Sequence, residues 1–414
     1  MEIVNVRRVF YPVGQGLFCS EQFDLDGQPN PVSVVYDCGC FLPSDRLKKH
    51  YHIQKTLPDY IDEDFPNRRT PILGVFISHL HYDHICGLGK LLKQCDVRNL
   101  FLPQLTPALL LESALYSKIY ASEQEFQETI TILQSLSEYY IRETGIIQIA
   151  PFDPENDREY EITEIDILNR ISSGLIRNCK IRIGPYWEYI PFNYFTYTQK
   201  AKDLLDELQK INGMNGCFVN GVIDFSKLAR ALADNGTFEL CKKGYKEVFK
   251  SGNEYSMPVY SGPIDMKLEY CWLECGPYHC GDCDHPFRRC YYNDCCYCRH
   301  CHLRHFLYCG CLYTGDFIAS KPMYFDAMKD FYTRRGVWDR ISIIQVPHHG
   351  SSNGHNMGLY EPHKCLAVIS AGAKNRYNHP DPLVIRDLQR KGVPTYVLTE
   401  VDDKLENRMR YIKH

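Results

Sequence analysis

The stretch from Phe76 to Leu88 constrains this chain more than any other. An apolar run, Ile72 to Ile77, reads as a buried strand. It ends in His79-Leu80-His81-Tyr82-Asp83-His84, and an apolar, glycine-containing segment follows. Neutral imidazole nitrogens and a carboxylate oxygen are the donor set for zinc or manganese. One residue between successive donors lets the alternate side chains of an extended turn converge on a point. Asp83 and His84 then face a second point nearby, which anticipates two divalent metals. The competing reading is a chance histidine cluster on a surface loop, and the strand-to-helix context tells against it.

At 414 residues the chain has room for two domains, or for one large domain with insertions. Its hydrophobic share of 44% and charged share of 24% are those of an ordinary globular protein. A net charge of −4 gives no global field that attracts nucleic acid, so any such attraction must be local. Residues Met1 to Arg8 lack the basic and long apolar regions of a signal peptide, and no apolar run approaches the ~18 residues of a membrane span. The expectation is a soluble, cytoplasmic protein without membrane contact.

His79-x-His81-x-Asp83-His84 after an apolar strand resembles the signature of the metallo-β-lactamase fold hydrolases. Three later segments repeat the match in the family's order: Leu312-Tyr-Thr-Gly-Asp316, Val346-Pro-His348-His349-Gly-Ser351, and Ile369-Ser-Ala-Gly-Ala-Lys-Asn375-Arg-Tyr-Asn-His379-Pro380. Within that superfamily they resemble the nuclease-like domain of ComEC-type competence DNA-uptake proteins. Val13-Gly-Gln-Gly16 and Val35-Tyr-Asp37-Cys-Gly39 fit the same branch. The resemblance implies an α/β fold, an αββα sandwich. Here it would carry a helical insertion and a Cys-rich zinc-binding hairpin insertion.

On this reading residues 1–103 are the first half of the core, 104–252 a largely helical insertion with core strands, and 253–270 a core strand. Residues 271–311 are the Cys-rich module, and 312–414 the second half of the core. Strands are expected near 3–12, 17–23, 32–36, 97–102, 146–150 and 160–167, with another over the aromatic run 186–195. Helices are expected over 88–94, 107–141, 200–211 and 225–233. The aromatic run offers base-stacking surface, but sheet packing is the stronger reading given the β-propensity of aromatics. Asp37, at a strand end, reads as a carboxylate that anchors a turn.

The resemblance also implies ligand roles. His79 and His81 would bind the first metal. Asp83 and His84 would bind the second, together with one of His348 and His349, His349 being preferred. Asp316 would bridge the two, next to a glycine that permits a tight turn. Many relatives supply a further histidine to the first metal, yet none occurs here from 85 to 278. Water, substrate or a late histidine, above all His379, would complete that site. Asp83 and His379 are the candidate catalytic residues. Ser351, Ser352, Asn375 and Arg376 are the candidate substrate contacts.

Eleven of the twenty cysteines lie between Cys271 and Cys311. Cys280-x2-Cys283 and Cys298-x2-Cys301 form a pair of knuckles, a spacing that signals at least one structural zinc. Cys271, Cys275, Cys309 and Cys311 flank the pair, and the expectation is that they close a second site where two hairpin strands meet. Four arginines balance four acidic residues between 271 and 311, so the module suits bracing or contact with a protein partner better than nucleic-acid binding.

The expected function is a metal-dependent hydrolase with two zinc or manganese ions, most simply a phosphodiesterase or nuclease acting on nucleic acid or a nucleotide. The rivals are a hydrolase of small esters, lactones or nucleotides, and a partner-binding subunit of a multi-protein system, such as one of defence, with weak catalysis.

Overall fold

The computed structural model describes residues 2–41, 43–66, 71–137, 144–153, 162–219, 221–249, 256–265, 268–275, 309–360 and 365–411. In chain order the strands are β1 (Ile3–Phe10), β2 (Gly16–Leu25), β3 (Val32–Cys40), β4 (Ile72–Phe76), β5 (Asn99–Pro103), β6 (Gly145–Ile149), β7 (Thr163–Asp166), β8 (Gly174–Ile176), β9 (Cys179–Ile183) and β10 (Trp187–Pro191). They continue as β11 (Phe218–Val219), β12 (Val222–Ile223), β13 (Val259–Pro263), β14 (Leu268–Cys275), β15 (Gly310–Tyr313), β16 (Ile341–Gln345), β17 (Leu366–Ser370), β18 (Thr395–Leu398) and β19 (Leu405–Tyr411). The helices are α1 (Asp45–Tyr51), α2 (Leu57–Asp64), α3 (Tyr82–Ile85), α4 (Leu88–Gln94), α5 (Pro107–Tyr120), α6 (Glu123–Ser137), α7 (Phe195–Leu208), α8 (Phe225–Ala233), α9 (Asn235–Val248), α10 (Pro322–Arg334) and α11 (Pro382–Arg390).

Two large sheets carry the fold. One runs β14-β19-β1-β2-β3-β4-β5-β6-β8 and the other β18-β17-β16-β15-β13-β10-β9-β7, with β11 and β12 as a small ribbon. Alternation along each strand buries one face against the opposite sheet. Val6 and Phe10 of β1, Val34 of β3, Trp187 and Tyr189 of β10, and Ile343 of β16 meet in that central layer. The outer face of the first sheet packs on α2 and on α4 to α9, and the outer face of the second on α10 and α11. The result is the expected αββα sandwich.

Local chemistry explains where the helices start. Pro107 occupies the first turn of α5, and the Thr106 hydroxyl accepts the Leu109 amide. Asp224, Asp234 and Asp381 cap α8, α9 and α11 in the same way. The helix expected over 107–141 is two helices, because the chain leaves helical geometry at Ala121. Trp187 and Tyr189 are buried between the sheets, so the aromatic run serves packing.

A polar bolt crosses the central layer. Arg8 is fully buried and its Nε donates to Glu21 Oε1 at 2.6 Å. Glu21 also accepts from Tyr189 at 2.5 Å, Ser261 at 2.6 Å and Tyr313 at 3.1 Å, all in the other sheet. A buried carboxylate is tolerated when it is paired and hydrogen-bonded in this way.

Strand β13 pairs antiparallel with β15. The Cys-rich region departs from expectation at its flanks. Cys271 and Cys275 fall on β14, which pairs with β19 at the edge of the first sheet. Cys309 and Cys311 are buried, and Cys311 lies on β15 in the second sheet. Cys271 and Cys275 thus lie on a strand of the first sheet and Cys311 on a strand of the second. Burial pushes the Cys311 thiol up to about 12. Both edges set for the module, 271 and 311, fall inside sheet strands. Cys280, Cys283, Cys298 and Cys301 lie outside the described residues.

Candidate metal centre

The candidate site gathers at the carboxyl ends of β4, β15, β16 and β17. The segments that carry the candidate ligands each leave one of those strands. After β4 the chain runs through Ser78 and His79 into the short helix α3, and His79, His81 and His84 are all fully buried. The end of β3 lies directly against α3. A methyl group on Gly39 would stand 2.4 Å from the Asp83 carbonyl carbon and from the His84 nitrogen. Only glycine permits that approach.

Asp37 organises this half. Its carboxylate accepts the Ser78 amide and the Ser78 hydroxyl, each at 2.7 Å, and lies 2.8 Å from His84 Nδ1. The Ser78 hydroxyl has one hydrogen and gives it to Asp37, so toward His79 Nδ1, 2.9 Å away, it acts as acceptor. Both imidazoles are thus protonated at Nδ1 and present a lone pair at Nε2. A hydrogen-bonded far nitrogen is the usual support of a metal-binding histidine.

The second half comes from the other sheet. Gln345 Oε1 accepts the amides of Thr314 and Gly315 at 2.8 and 2.7 Å, shaping the turn after β15. Gly315 takes a left-handed φ of 54°, and the Asp316 amide donates to Ser256 Oγ at 3.1 Å. After β16, His348 and His349 both adopt left-handed backbone geometry. His349 Nδ1 donates to the Ser370 carbonyl at 3.0 Å, which again leaves Nε2 as the acceptor atom.

Asp316 stands at the centre with its oxygens turned to different partners. Oδ1 is 3.3 Å from His84 Nε2 and 3.5 Å from His349 Nε2. Oδ2 is 3.8 Å from His79 Nε2 and 3.7 Å from His348 Nε2. Asp83 Oδ2 completes the first side, 3.5 Å from His349 Nε2. Donor atoms of His79, His84 and Asp316 lie within 4.8 Å of one another, and so do those of Asp83, His84 and His349.

Electrostatics fits a cation. Burial alone would raise the Asp316 carboxyl, but His348, His84 and His349 hold it well below the usual carboxylate range. Burial lowers His84, yet Asp316, Asp37 and Asp83 together raise it. His79 is pushed down by burial and by its histidine neighbours. The buried Nε2 atoms of His84 and His349 and Oδ1 of Asp83 have no hydrogen-bond partner. Buried polar atoms without partners are costly, and convergent nitrogen and oxygen donors of this type suit a divalent metal.

His81 stands apart from both donor groups. Its Nε2 is 3.4 Å from Glu112 Oε1, and its ring lies flat on Tyr116. His379 sits beside His348, ring centroids 5.7 Å apart, and burial followed by the charges of His348 and His349 pushes it down to about 4. The Asn375 amide is fully used within its own loop. It donates to the carbonyls of Gly372 and His379 and accepts the amides of Tyr377 and His379. Asn375 therefore shapes the loop that presents His379. Arg376 is exposed and donates to the Tyr120 carbonyl and the Tyr377 hydroxyl. Ser351 is buried and caps the following turn, and Ser352 is exposed.

Sequence reasoning missed the supporting groups. Asp37 does anchor a loop, but its larger part is to orient His84. Glu112 and Gln345 carried no motif that distinguishes them from ordinary polar residues.

Two packed sheets with a histidine and carboxylate cluster at the strand ends make a site that could hold a metal ion. Residues 33–140 match the family model of the metallo-beta-lactamase superfamily. Among curated proteins it is similar to ribonuclease J of Mycoplasma genitalium, 32% identical over 79 residues, and to ribonuclease J of Mycoplasma pneumoniae, 33% identical over 79 residues. Each match covers 19% of this chain and 13% of the relative. Among solved structures, unliganded yeast PDE1 aligns over 99% of this chain and 100% of its own, at 11% identity and a TM-score of 0.36, a likeness that supports no further argument. Among the described residues no helix is long and apolar enough to cross a membrane.

Proposed function

We propose that this protein is a metal-dependent phosphodiesterase, with nucleic acid or a nucleotide as substrate. The observation that carries the reading is the division of Asp316, one oxygen toward His84 and His349 and the other toward His79 and His348. That is the arrangement a carboxylate needs to serve two cations at once. Asp83, His84 and His349 would hold one ion, and His79, His81 and His348 the other. His348 thereby takes the place for which the sequence offered no histidine between 85 and 278. Zinc or manganese both suit these donors.

When bound, such ions lower the pKa of water and polarise a phosphoryl oxygen. The chain's own residues supply the rest. Asp37 and Ser78 hold His84 and His79 in one tautomer, and Ser370 does the same for His349. Asp83 accepts a proton or hydrogen bond from the attacking water. His379 donates to a phosphoryl oxygen or to the leaving group, from a loop that Asn375 keeps in shape. Arg376 and Ser352, both exposed, would meet phosphate oxygens further along the substrate.

The choice of phosphodiesters over lactams or lactones rests on the sequence likeness to the ComEC-type branch and on the name of the curated relatives, ribonuclease J. The knuckles Cys280/Cys283 and Cys298/Cys301 are proposed to hold at least one structural zinc, and the module or the helical insertion to meet a protein partner. A cytoplasmic location belongs to the same proposal, and the free thiols of Cys38, Cys40 and Cys86 agree with it.

The test is cleavage of single- and double-stranded DNA, RNA and bis-p-nitrophenyl phosphate with Mn²⁺ or Zn²⁺, beside Asp83→Ala. Metal-dependent cleavage lost in the variant supports the reading, and no cleavage of any substrate refutes it.

A further inference from the structure

The helical insertion reaches the metal centre. α5 is apolar along most of its length, yet it buries Glu112 to 1% exposure. An isolated carboxylate there would be expensive. Glu112 is not isolated: its Oε1 lies 3.4 Å from His81 Nε2 and accepts the Tyr245 hydroxyl at 3.0 Å. Tyr245 comes from α9, is fully buried, and so ties a second helix of the insertion to the same oxygen.

One helical turn after Glu112 stands Tyr116, on the same face of α5. Its ring lies against His81 with centroids 3.5 Å apart and planes 3° from parallel. α5 therefore grips His81 twice, Glu112 at the edge of the ring and Tyr116 on its face. An imidazole that gives its Nε2 hydrogen to a carboxylate keeps its lone pair on Nδ1. For His81 the ligating atom is then Nδ1, whereas His79 and His84 present Nε2.

We propose that Glu112, held by Tyr245, is a positioning residue that fixes the tautomer and orientation of His81 as a metal ligand, so that the helical insertion is an integral part of the metal centre. The inference rests on the reading of His81 as a ligand, and not on what the enzyme cleaves.

The experiment uses the full chain and reads metal rather than turnover. Zinc per chain, affinity against a competing chelator, and the absorption bands of the Co²⁺-substituted protein are measured for wild type and for Glu112→Ala, Glu112→Gln, Tyr245→Phe and His81→Ala. Removing a carboxylate behind a metal-binding histidine costs about 10- to 100-fold in affinity. Glu112→Ala is expected to show that loss with shifted Co²⁺ bands, and Tyr245→Phe a smaller loss in the same direction. Glu112→Gln, which keeps an accepting oxygen and the side-chain shape, should restore most of the affinity. In a His81→Ala background Glu112→Ala should cost nothing more, because the two act through one bond.

Folded Glu112→Gln and Tyr245→Phe proteins, judged by circular dichroism, keep the test valid if Glu112→Ala fails to fold. Wild-type affinity and Co²⁺ bands in Glu112→Ala or, should it not fold, in Tyr245→Phe would overturn the proposal. So would a full additional loss in the His81→Ala background. If His81→Ala alone binds metal like wild type, the ligand role of His81 fails and this inference fails with it. A protein that binds metal as expected but cleaves no phosphodiester refutes only the activity.

Discussion

Asp37 and His84 come from neighbouring strand ends of the first sheet and meet at 2.8 Å, carboxylate to Nδ1, with both side chains fully buried. That contact sets which nitrogen of His84 faces Asp316. Asp37→Ala should therefore weaken metal binding by about 10- to 100-fold. Calorimetric titration with Zn²⁺ or Mn²⁺ checks it, and wild-type affinity in the variant would refute the orienting role.

Metal should also stabilise the fold. A ligand that binds only the folded chain adds about 2.7 kcal/mol at a hundred times its dissociation constant. Chelation is expected to lower Tm, and added Mn²⁺ or Zn²⁺ to restore it. Asp316→Ala, which removes the residue shared by both histidine groups, should abolish most of that shift in differential scanning fluorimetry.

Gly39→Ala tests the contact between β3 and α3. The added methyl group would sit 2.4 Å from backbone atoms of Asp83 and His84, which cannot move aside like a flexible side chain. The expected cost is about 1–3 kcal/mol in stability, typical of overpacking, together with weaker metal binding as α3 is displaced. A variant that melts and binds metal like wild type would show that this backbone contact is not tight.

Arg8→Ala leaves Glu21 buried among three hydroxyls without its cation. Breaking a buried pair from one side costs about 3–5 kcal/mol. Urea unfolding of Arg8→Ala should show a loss of that order. A combined replacement of Arg8 and Glu21 by apolar residues of similar volume should recover much of it.

The pair formed by Arg7 of β1 and Glu406 of β19 gives a pH signature. Burial alone would raise the Glu406 carboxyl, but the hydrogen bond and charge of Arg7, with Arg408 behind them, bring it below its ordinary 4.5. A carboxylate whose folded pKa is depressed stabilises the fold fully above the unfolded value and loses that contribution as pH falls through the folded value. Glu406→Gln should thus melt below wild type at neutral pH, with the gap closing once pH drops below 4.5. A gap independent of pH would assign the effect to packing.

The metal strand, its motif and the partner segments were legible because each combines a strong local period with unusual residue types. Asp316 and His349 could be placed only through the likeness to a known family, since nothing in their own spacing points to residues far earlier in the chain. Of the supporting groups, Asp37 was legible only as an anchor, and Glu112 and Gln345 not at all. Glu112 is one acid in a helix, and only the packing of α5 against the motif gives it a role. Nor does spacing tell that strand pairing sends Cys271 and Cys311 to different sheets.

The division of ligands between the two sheets has a consequence for biosynthesis. His79 to His84 leave the ribosome long before Asp316 and His349, with most of the chain still to be made between them. A nascent chain therefore exposes the first candidate donors before the shared Asp316 carboxylate exists. On the proposed ligand set, tight loading would wait until the second sheet has docked, which would make metal capture a late checkpoint of folding rather than its nucleus.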